Sequence, residues 1–258
     1  MRLIRRADGY YAQFSIKIDR TEAREKTDTA IGLDMGLRYL LADSNSNFVL
    51  PPQFLRKAEK RLKRLQRRVS KKYDKQRKKS KQHGRQGVEV SSTQRSRQSN
   101  NYHKVRIKLA RQHLKVSRQR KDFAVKLARC VVISNDIVAF EDLKVKNLVK
   151  NRHLSKSISD ASWGILRQWI EYFGSVFDVE TIAVPPHYSS QDCSACGARV
   201  KKSFSTRTHV CQCGCELDRD TNASIVILNR ALSTLGRRES SKAQGDETAI
   251  SANASLLG

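Results

Sequence analysis

Apolar and polar residues alternate from Tyr10 to Ile18, with Tyr10, Ala12, Phe14, Ile16 and Ile18 on one side and Tyr11, Gln13, Ser15 and Lys17 on the other, which predicts a half-buried strand. Residues 20–28 are charged and lack a period, as a linker does. Thr29 to Asp34 reads as a buried strand that ends in an acid. Met35 and Gly36 make a turn, Leu37 to Ala42 a second strand, Asp43 to Asn47 another turn and Phe48 to Leu50 a short third strand, so an antiparallel meander is expected. Phe54, Ala58, Leu62, Leu65 and Val69 then recur at three- and four-residue spacing, a narrow apolar stripe on a helix. Val105, Leu109 and Leu114 continue in the same manner, and between them residues 80–102 have little to bury and predict a mobile loop. Phe123 to Ile133 is a buried helix end, and Ile137 to Phe140 a central strand that delivers Glu141. Trp163, Leu166, Trp169, Ile170 and Phe173 form an amphipathic helix whose aromatics read as core packing in preference to base stacking. Val179 to Val184 is a further strand, stopped by Pro185 and Pro186. A last helical run covers Ala223 to Leu235, with Asp220 at its expected N-cap. This order predicts an α/β sheet covered by helices.

Composition changes the picture through charge. The 258 residues, 38% hydrophobic, can form one sizeable domain with insertions around a lean core. Lys and Arg number 51 against 25 Asp and Glu, a net charge of +26, which calls for a polyanionic partner. Residues 53–121 hold 26 of those basic residues against three acids, Glu59, Asp74 and Glu89, and so carry +23. This is a basic helical arm and not a uniform coat. No apolar segment reaches the roughly 20 residues of a membrane span, so nucleic acid is the expected polyanion and no membrane is. Arg61, Lys63, Arg64, Arg67, Arg68, Lys71, Lys72, Arg118, Arg120 and Lys121 are the candidate phosphate contacts.

Candidate chemistry sits in two groups of residues. Cys193 and Cys196, then Cys211, Cys213 and Cys215, form short thiolate pairs that suit a tetrahedral Zn²⁺. Cys193, Cys196, Cys211 and Cys213 are the expected ligands, with Cys215 an alternative to Cys211 or Cys213. A disulfide cluster is the competing reading, but the absence of a signal peptide and the solitary Cys130 favour a reducing compartment and a metal. The second group is Asp34, Glu141 and Asp220, each at the end of a separate element where side chains can converge, with Asp218 an alternate third acid. Carboxylate oxygens are the hard ligands that Mg²⁺ or Mn²⁺ needs. Two such ions about 4 Å apart can activate water and stabilise the leaving oxygen of a phosphodiester.

I-G-L-D-M-G at 31–36, F-E-D-L-K-V-K-N-L at 140–148 and the C-S-A-C-G to C-G-C-E-L-D-R-D-T-N-A stretch at 193–223 resemble the three RuvC-type nuclease motifs and zinc ribbon of the transposon-encoded TnpB (OrfB) proteins, and are similar to type V CRISPR effectors. R-K-D-F at 120–123 and S-I-S-D-A-S-W at 157–163 extend the resemblance, which runs from about Tyr10 to Leu232. It implies an RNase H-like (RuvC) mixed sheet flanked by helices, with an inserted zinc ribbon at 187–216, a nuclease core over 29–186, a last motif and helix at 217–236 and a disordered tail at 237–258. It also implies a metal-dependent DNA endonuclease, directed in full-length members by a transposon-derived guide RNA, associated with insertion sequences and located in the prokaryotic cytoplasm at the nucleoid. Asp34, Glu141 and Asp220 match the catalytic acids. The C-x-C spacing at 211 and 213 departs from the more usual C-x2-C, and residues 80–102 look like an insertion. Residues 1–28 resemble the remnant of an N-terminal wedge barrel plus linker, so the chain resembles a member truncated at its start. The alternative expectation is a non-catalytic, zinc-containing nucleic-acid-binding remnant or regulator of transposition.

Overall fold

The computed structural model describes residues 1–84, 99–203 and 205–254, with side chains described outside 76–98, 204 and 237–258. The chain divides into two compact units: Met1–Asp19 with Gln53–Phe123, and Arg20–Pro52 with Ala124–Gly258.

In the first unit, β1 (Arg2–Arg6) and β2 (Gly9–Gln13) pair as an antiparallel hairpin. The predicted strand over 10–18 stops at Gln13. Its period continues, but among the described residues no surface receives it: Phe14, Ile16 and Ile18 are 66%, 72% and 66% exposed. The helices α1 (Phe54–Gly84) and α2 (Asn100–Ile133) run antiparallel here, since Phe54 meets Phe123 and Tyr73 meets Tyr102 edge to face or tilted, with ring centroids 6.2 and 6.3 Å apart. Leu62, Leu65 and Val116 are buried, so the apolar stripe packs as the spacing predicts. The expected loop over 80–102 falls largely outside the described residues; its flanks are helical.

The second unit is built on a five-stranded sheet, ordered β5 (Phe48–Val49), β4 (Leu41–Asp43), β3 (Ala30–Asp34), β6 (Ile137–Glu141), β7 (Glu180–Val184). The first three strands are the antiparallel meander; β3, β6 and β7 are parallel. The predicted second strand over 37–42 shortens to β4. Short helices α3 (Val145–Leu148) and α4 (Ser155–Ala161) lead to α5 (Trp163–Phe177). After β7, the hairpin of β8 (Thr208–Val210) and β9 (Glu216–Asp218) precedes α6 (Arg219–Ala254). The helical backbone of α6 continues to Ala254; the tail expected over 237–258 lies outside the residues whose side chains are described.

Strand alternation assigns the two faces of this sheet. Ala139, Ile182 and Val184 pack with Ile227 and Ala231 of α6 on one face. On the other, Phe140 lies under the Arg167 guanidinium of α5, 5.5 Å from its ring centroid, and Gly174 of α5 sits against Thr181. Successive strand residues point to opposite faces, so Gly32, Asp34 and Glu141 belong to the α6 face.

Candidate functional site

β3 and α6 approach each other closely at Gly32. A Cβ on Gly32 would lie 2.0 Å from the Ser224 carbonyl oxygen and 2.9 Å from Leu228 Cβ, so only glycine lets the helix seat there. The Ser224 hydroxyl anchors the seat, its one proton shared between the Ala42 and Asp220 carbonyl oxygens, each 2.8 Å from Oγ. Asp34 lies two residues beyond Gly32 on the same face, and Asp220 one helical turn before Ser224. The same contact therefore carries both acids towards the carboxyl end of the sheet. Glu141 joins them because Leu33 pairs with Phe140 in parallel register, which puts Asp34 and Glu141 at neighbouring strand ends on one face.

Electrostatics reports the same convergence. Burial first, then the charges of Glu141 and Asp220, push the Asp34 carboxyl well above the ordinary carboxylate range; Asp218 adds to the push and Arg219 opposes it. Burial also raises Glu141, against the Ser189 hydroxyl that donates to Oε1 and the charge of Arg230. Three acids gathered on one buried face, opposed only in part by the charges of Arg219 and Arg230, are a site that a divalent ion would relieve. A cavity of about 740 Å³ opens beside Glu141, with Met35, Lys144, Trp163 and Arg167 in its wall.

Asp218 and Asp220 divide their tasks differently from the expectation that Asp220 caps the helix. The backbone N–H groups of Asp220 and Thr221 donate to Asp218 Oδ1 at 2.9 and 3.4 Å, so Asp218 is the N-cap. The helix starts at Arg219, one turn earlier than its apolar run, and this places Asp220 in the first turn. There its carboxylate accepts only from Arg219 Nε, at 3.2 Å, among the hydrogen bonds of the described residues.

The cysteine knuckle is wired to the same helix. Asn222, fully buried, accepts from the Ser194 backbone N–H at 3.0 Å and donates to Asp192 O at 2.8 Å. Arg230 of α6 bonds Pro185 O at 3.0 Å and Asp192 Oδ2 at 2.8 Å. Within the knuckle, Gly197 (φ 74°) and Gly214 (φ 88°) take the left-handed turns that fold each short loop back on itself. The thiols of Cys193, Cys196, Cys211 and Cys213 lie within 4.8 Å of one another, and the pairs Cys193–Cys213 and Cys196–Cys211 are 3.7 and 3.6 Å apart. All six cysteines are free. A disulfide needs about 2.05 Å, whereas four sulfurs at about 2.3 Å around a tetrahedral zinc stand about 3.8 Å apart. The observed spacings fit the metal. Burial opposes ionisation of Cys193, but backbone N–H groups of Cys196 and Ala195, with His209 and Cys213, bring its thiol down to about 5. Cys213 is pushed up to about 12 by the Cys196 and Cys211 thiols, although a Cys215 backbone hydrogen bond works against them. Such crowded thiols ionise together only around a cation.

Of the basic candidates, Arg61, Lys63, Arg64, Arg67, Arg68, Lys71, Arg118 and Lys121 are exposed, and Lys72 and Arg120 half-buried. Lys63 pairs with Glu59 at 2.7 Å. Arg118 is held by the hairpin: its guanidinium meets Asp8 at 2.7 Å and the Tyr11 hydroxyl at 2.7 Å. Sequence reasoning missed Gly32, Ser189, Asn222, Arg230 and His209. Their partners are remote in sequence; Gly32, in I-G-L-D-M-G, and Asn222, two residues past Asp220, stood in recognised motifs, but nothing in those motifs named their partners.

Comparison with known proteins places these features in context. A family model described as "Probable transposase", OrfB_IS605, matches residues 13–96 and 83–152, and one described as "Cas12f1-like, TNB domain" matches residues 163–227. A "Putative RNA-guided DNA endonuclease" of Streptomyces pristinaespiralis is 34% identical over 80% of this chain and 46% of its own length. The "Putative RNA-guided DNA endonuclease InsQ" of Escherichia coli (strain K12) is 28% identical over 67% of this chain and 41% of its own. The chain thus spans less than half the length of these relatives. A chain from the cryo-EM structure of a Cas12f1-sgRNA-target DNA complex shares the fold, with a TM-score of 0.51 at 17% identity over 88% of this chain and 55% of that one. No helix among the described residues is long and apolar enough to cross a membrane. With the transposase model matching more than half of it, the chain belongs to the OrfB (IS605) family of TnpB proteins.

Proposed function

We propose that this chain is the nuclease portion of a TnpB-type, RNA-guided DNA endonuclease with a RuvC-like core. The observation that carries the reading is the convergence of Asp34, Glu141 and Asp220 on one face of the sheet, with the Asp34 carboxyl pushed well up by burial and its two acidic neighbours. The three carboxylates would hold Mg²⁺ or Mn²⁺, which when bound supplies Lewis-acid activation of water and of the departing phosphodiester oxygen. The chain's own part is positional. Asp34 and Glu141 are fixed by strand register, Ser189 orients Glu141, and Asp218 holds the start of α6 so that Asp220 is presented. The four clustered thiols would hold a structural Zn²⁺, and Asn222 transmits that order to the helix bearing Asp220. Exposed Lys and Arg on α1 and α2 would bind DNA and guide RNA through phosphates, a contact without sequence information.

The test is nicking of supercoiled plasmid by the zinc-loaded chain with Mg²⁺ or Mn²⁺. Asp34→Ala, Glu141→Ala and Asp220→Ala are each expected to abolish nicking and to leave DNA binding intact, and Asp218→Ala to be milder. Nicking at the wild-type rate by any of the first three variants would overturn the assignment; metal-independent binding with no nicking by the wild-type chain would favour a non-catalytic binder.

A further inference from the structure

The knuckle contains more metal-ligating groups than one tetrahedral ion uses, and the surplus is placed inside it. His209 is the middle residue of β8; its neighbours Thr208 and Val210 are exposed, while its own ring is fully buried. Lys202 Nζ lies against Nδ1, and Nε2 is buried with no hydrogen-bond partner among the described residues. An imidazole nitrogen buried without a hydrogen bond loses its hydration with nothing in return, so the position asks for a partner. A ring nitrogen of His209 and the thiols of Cys193 and Cys215 lie within 4.8 Å of one another. This is a second candidate ligand set, and it shares Cys193 with the first.

The two sets differ in exposure. Cys196 and Cys213 are exposed, whereas Cys193 and His209 are buried and Cys215 is intermediate. They also differ in spacing. Cys211 and Cys213 are separated by one residue, tighter than the two to four usual between zinc ligands, whereas Cys211 and Cys215 are separated by three. We infer that Cys193, His209 and Cys215 form an inner set of ligands for the ion of this knuckle, able to retain it when the outer thiols of Cys196 and Cys213 are withdrawn. The class of ion is a borderline-soft divalent metal that accepts mixed sulfur and imidazole ligation, Zn²⁺ or its probe Co²⁺. Because Cys193 belongs to both sets, one ion is held at a time.

This inference rests on the reading of the knuckle as a metal site, and the experiment separates the two. The purified 258-residue chain is titrated with Co²⁺ and followed by visible absorption and metal analysis. The wild-type chain is expected to bind about one Co²⁺ with the intense thiolate-to-metal bands of a four-sulfur site; no uptake by the wild type would overturn both readings. Cys196→Ser/Cys213→Ser is expected to bind about one Co²⁺ still, with its d–d bands moved to shorter wavelength as nitrogen replaces sulfur. Adding His209→Ala to that variant is expected to abolish uptake. If the double variant binds nothing while the wild type binds, or if the added His209→Ala changes neither uptake nor spectrum, the inner set is refuted and the knuckle reading stands. A second measurement does not depend on the double variant folding. The chain carrying His209→Ala alone should lose Zn²⁺ to a chromophoric chelator several-fold faster than the wild type, and an unchanged rate would also refute the inference.

Discussion

Gly32→Ala is the smallest change that disturbs the candidate acid site without touching an acid. The added methyl would sit 2.0 Å from the Ser224 carbonyl and about 3 Å from Leu228 Cβ and N, and two of those three atoms are backbone. No rotamer relieves such a contact, so α6 must move away from β3 by about 1 Å or more to restore van der Waals separation. Overpacking of this kind costs about 3 kcal/mol, the upper part of the usual range. At about 2–4 °C per kcal/mol for a unit of this size, the melting temperature should fall by about 6–12 °C. Displacement of Asp220 from Asp34 by about 1 Å should also lower any cleavage rate by about 10²-fold. Gly164 of α5 supplies the control, since a Cβ there meets nothing within 4 Å; Gly164→Ala should be neutral or stabilising by up to about 1 kcal/mol. The assay is thermal unfolding by circular dichroism together with Mn²⁺-dependent nicking. If Gly32→Ala melted and nicked like the wild type, the seat of α6 on β3 could not be what sets the spacing of the acids.

Three further outcomes are expected. Asn222→Ala removes both hydrogen bonds that join the knuckle to α6, and should cost about 2–3 kcal/mol in chemical denaturation, whereas loss of the Asp218 cap in Asp218→Ala should cost about 1 kcal/mol. In zinc-loaded chain without other divalent ions, the raised Asp34 and Glu141 carboxyls mean that the folded form binds protons more tightly than the unfolded form. Stability at these groups should therefore fall as pH rises from the ordinary carboxylate range through their raised values, and melting temperatures recorded against pH should show that fall flattened by Asp34→Asn and by added Mn²⁺. Finally, binding to duplex DNA should weaken steeply between about 50 and 200 mM salt, and Arg67→Ala/Arg68→Ala/Lys71→Ala should reduce the slope of log affinity against log salt by up to about 2.7 in fluorescence anisotropy.

The elements legible in the sequence were those whose burial follows a short period. The apolar runs of β3 and β6, each ending in an acid, and the stripe of α5 appear where the pattern puts them, because each buries a face against one broad partner. The pattern misled at Phe14, Ile16 and Ile18, where alternation persists but the described residues offer no face to cover it. It also placed the cap of α6 two residues late, because Asp218 and Asp220 are chemically equal in sequence and only the turn out of β9 decides which carboxylate reaches the free N–H groups. At the site, the acids and four clustered thiols could be named from residue type and spacing. Gly32, Ser189 and His209 could not, since each acts on a partner brought near by tertiary packing alone: Ser224, Glu141 and Cys193 respectively.

The central claim is that Asp34, Glu141 and Asp220 together form a divalent-ion site, and direct Mn²⁺ binding tests it most plainly. Zinc-loaded wild-type chain and the near-isosteric variants Asp34→Asn, Glu141→Gln and Asp220→Asn should be titrated with Mn²⁺ and the free ion counted by electron paramagnetic resonance. Wild-type chain should take up Mn²⁺, and each variant, still folded by circular dichroism, should bind it at least about tenfold more weakly, a loss of about 1.4 kcal/mol. Equal binding by the wild type and all three variants, or no binding by the wild type, would contradict the account.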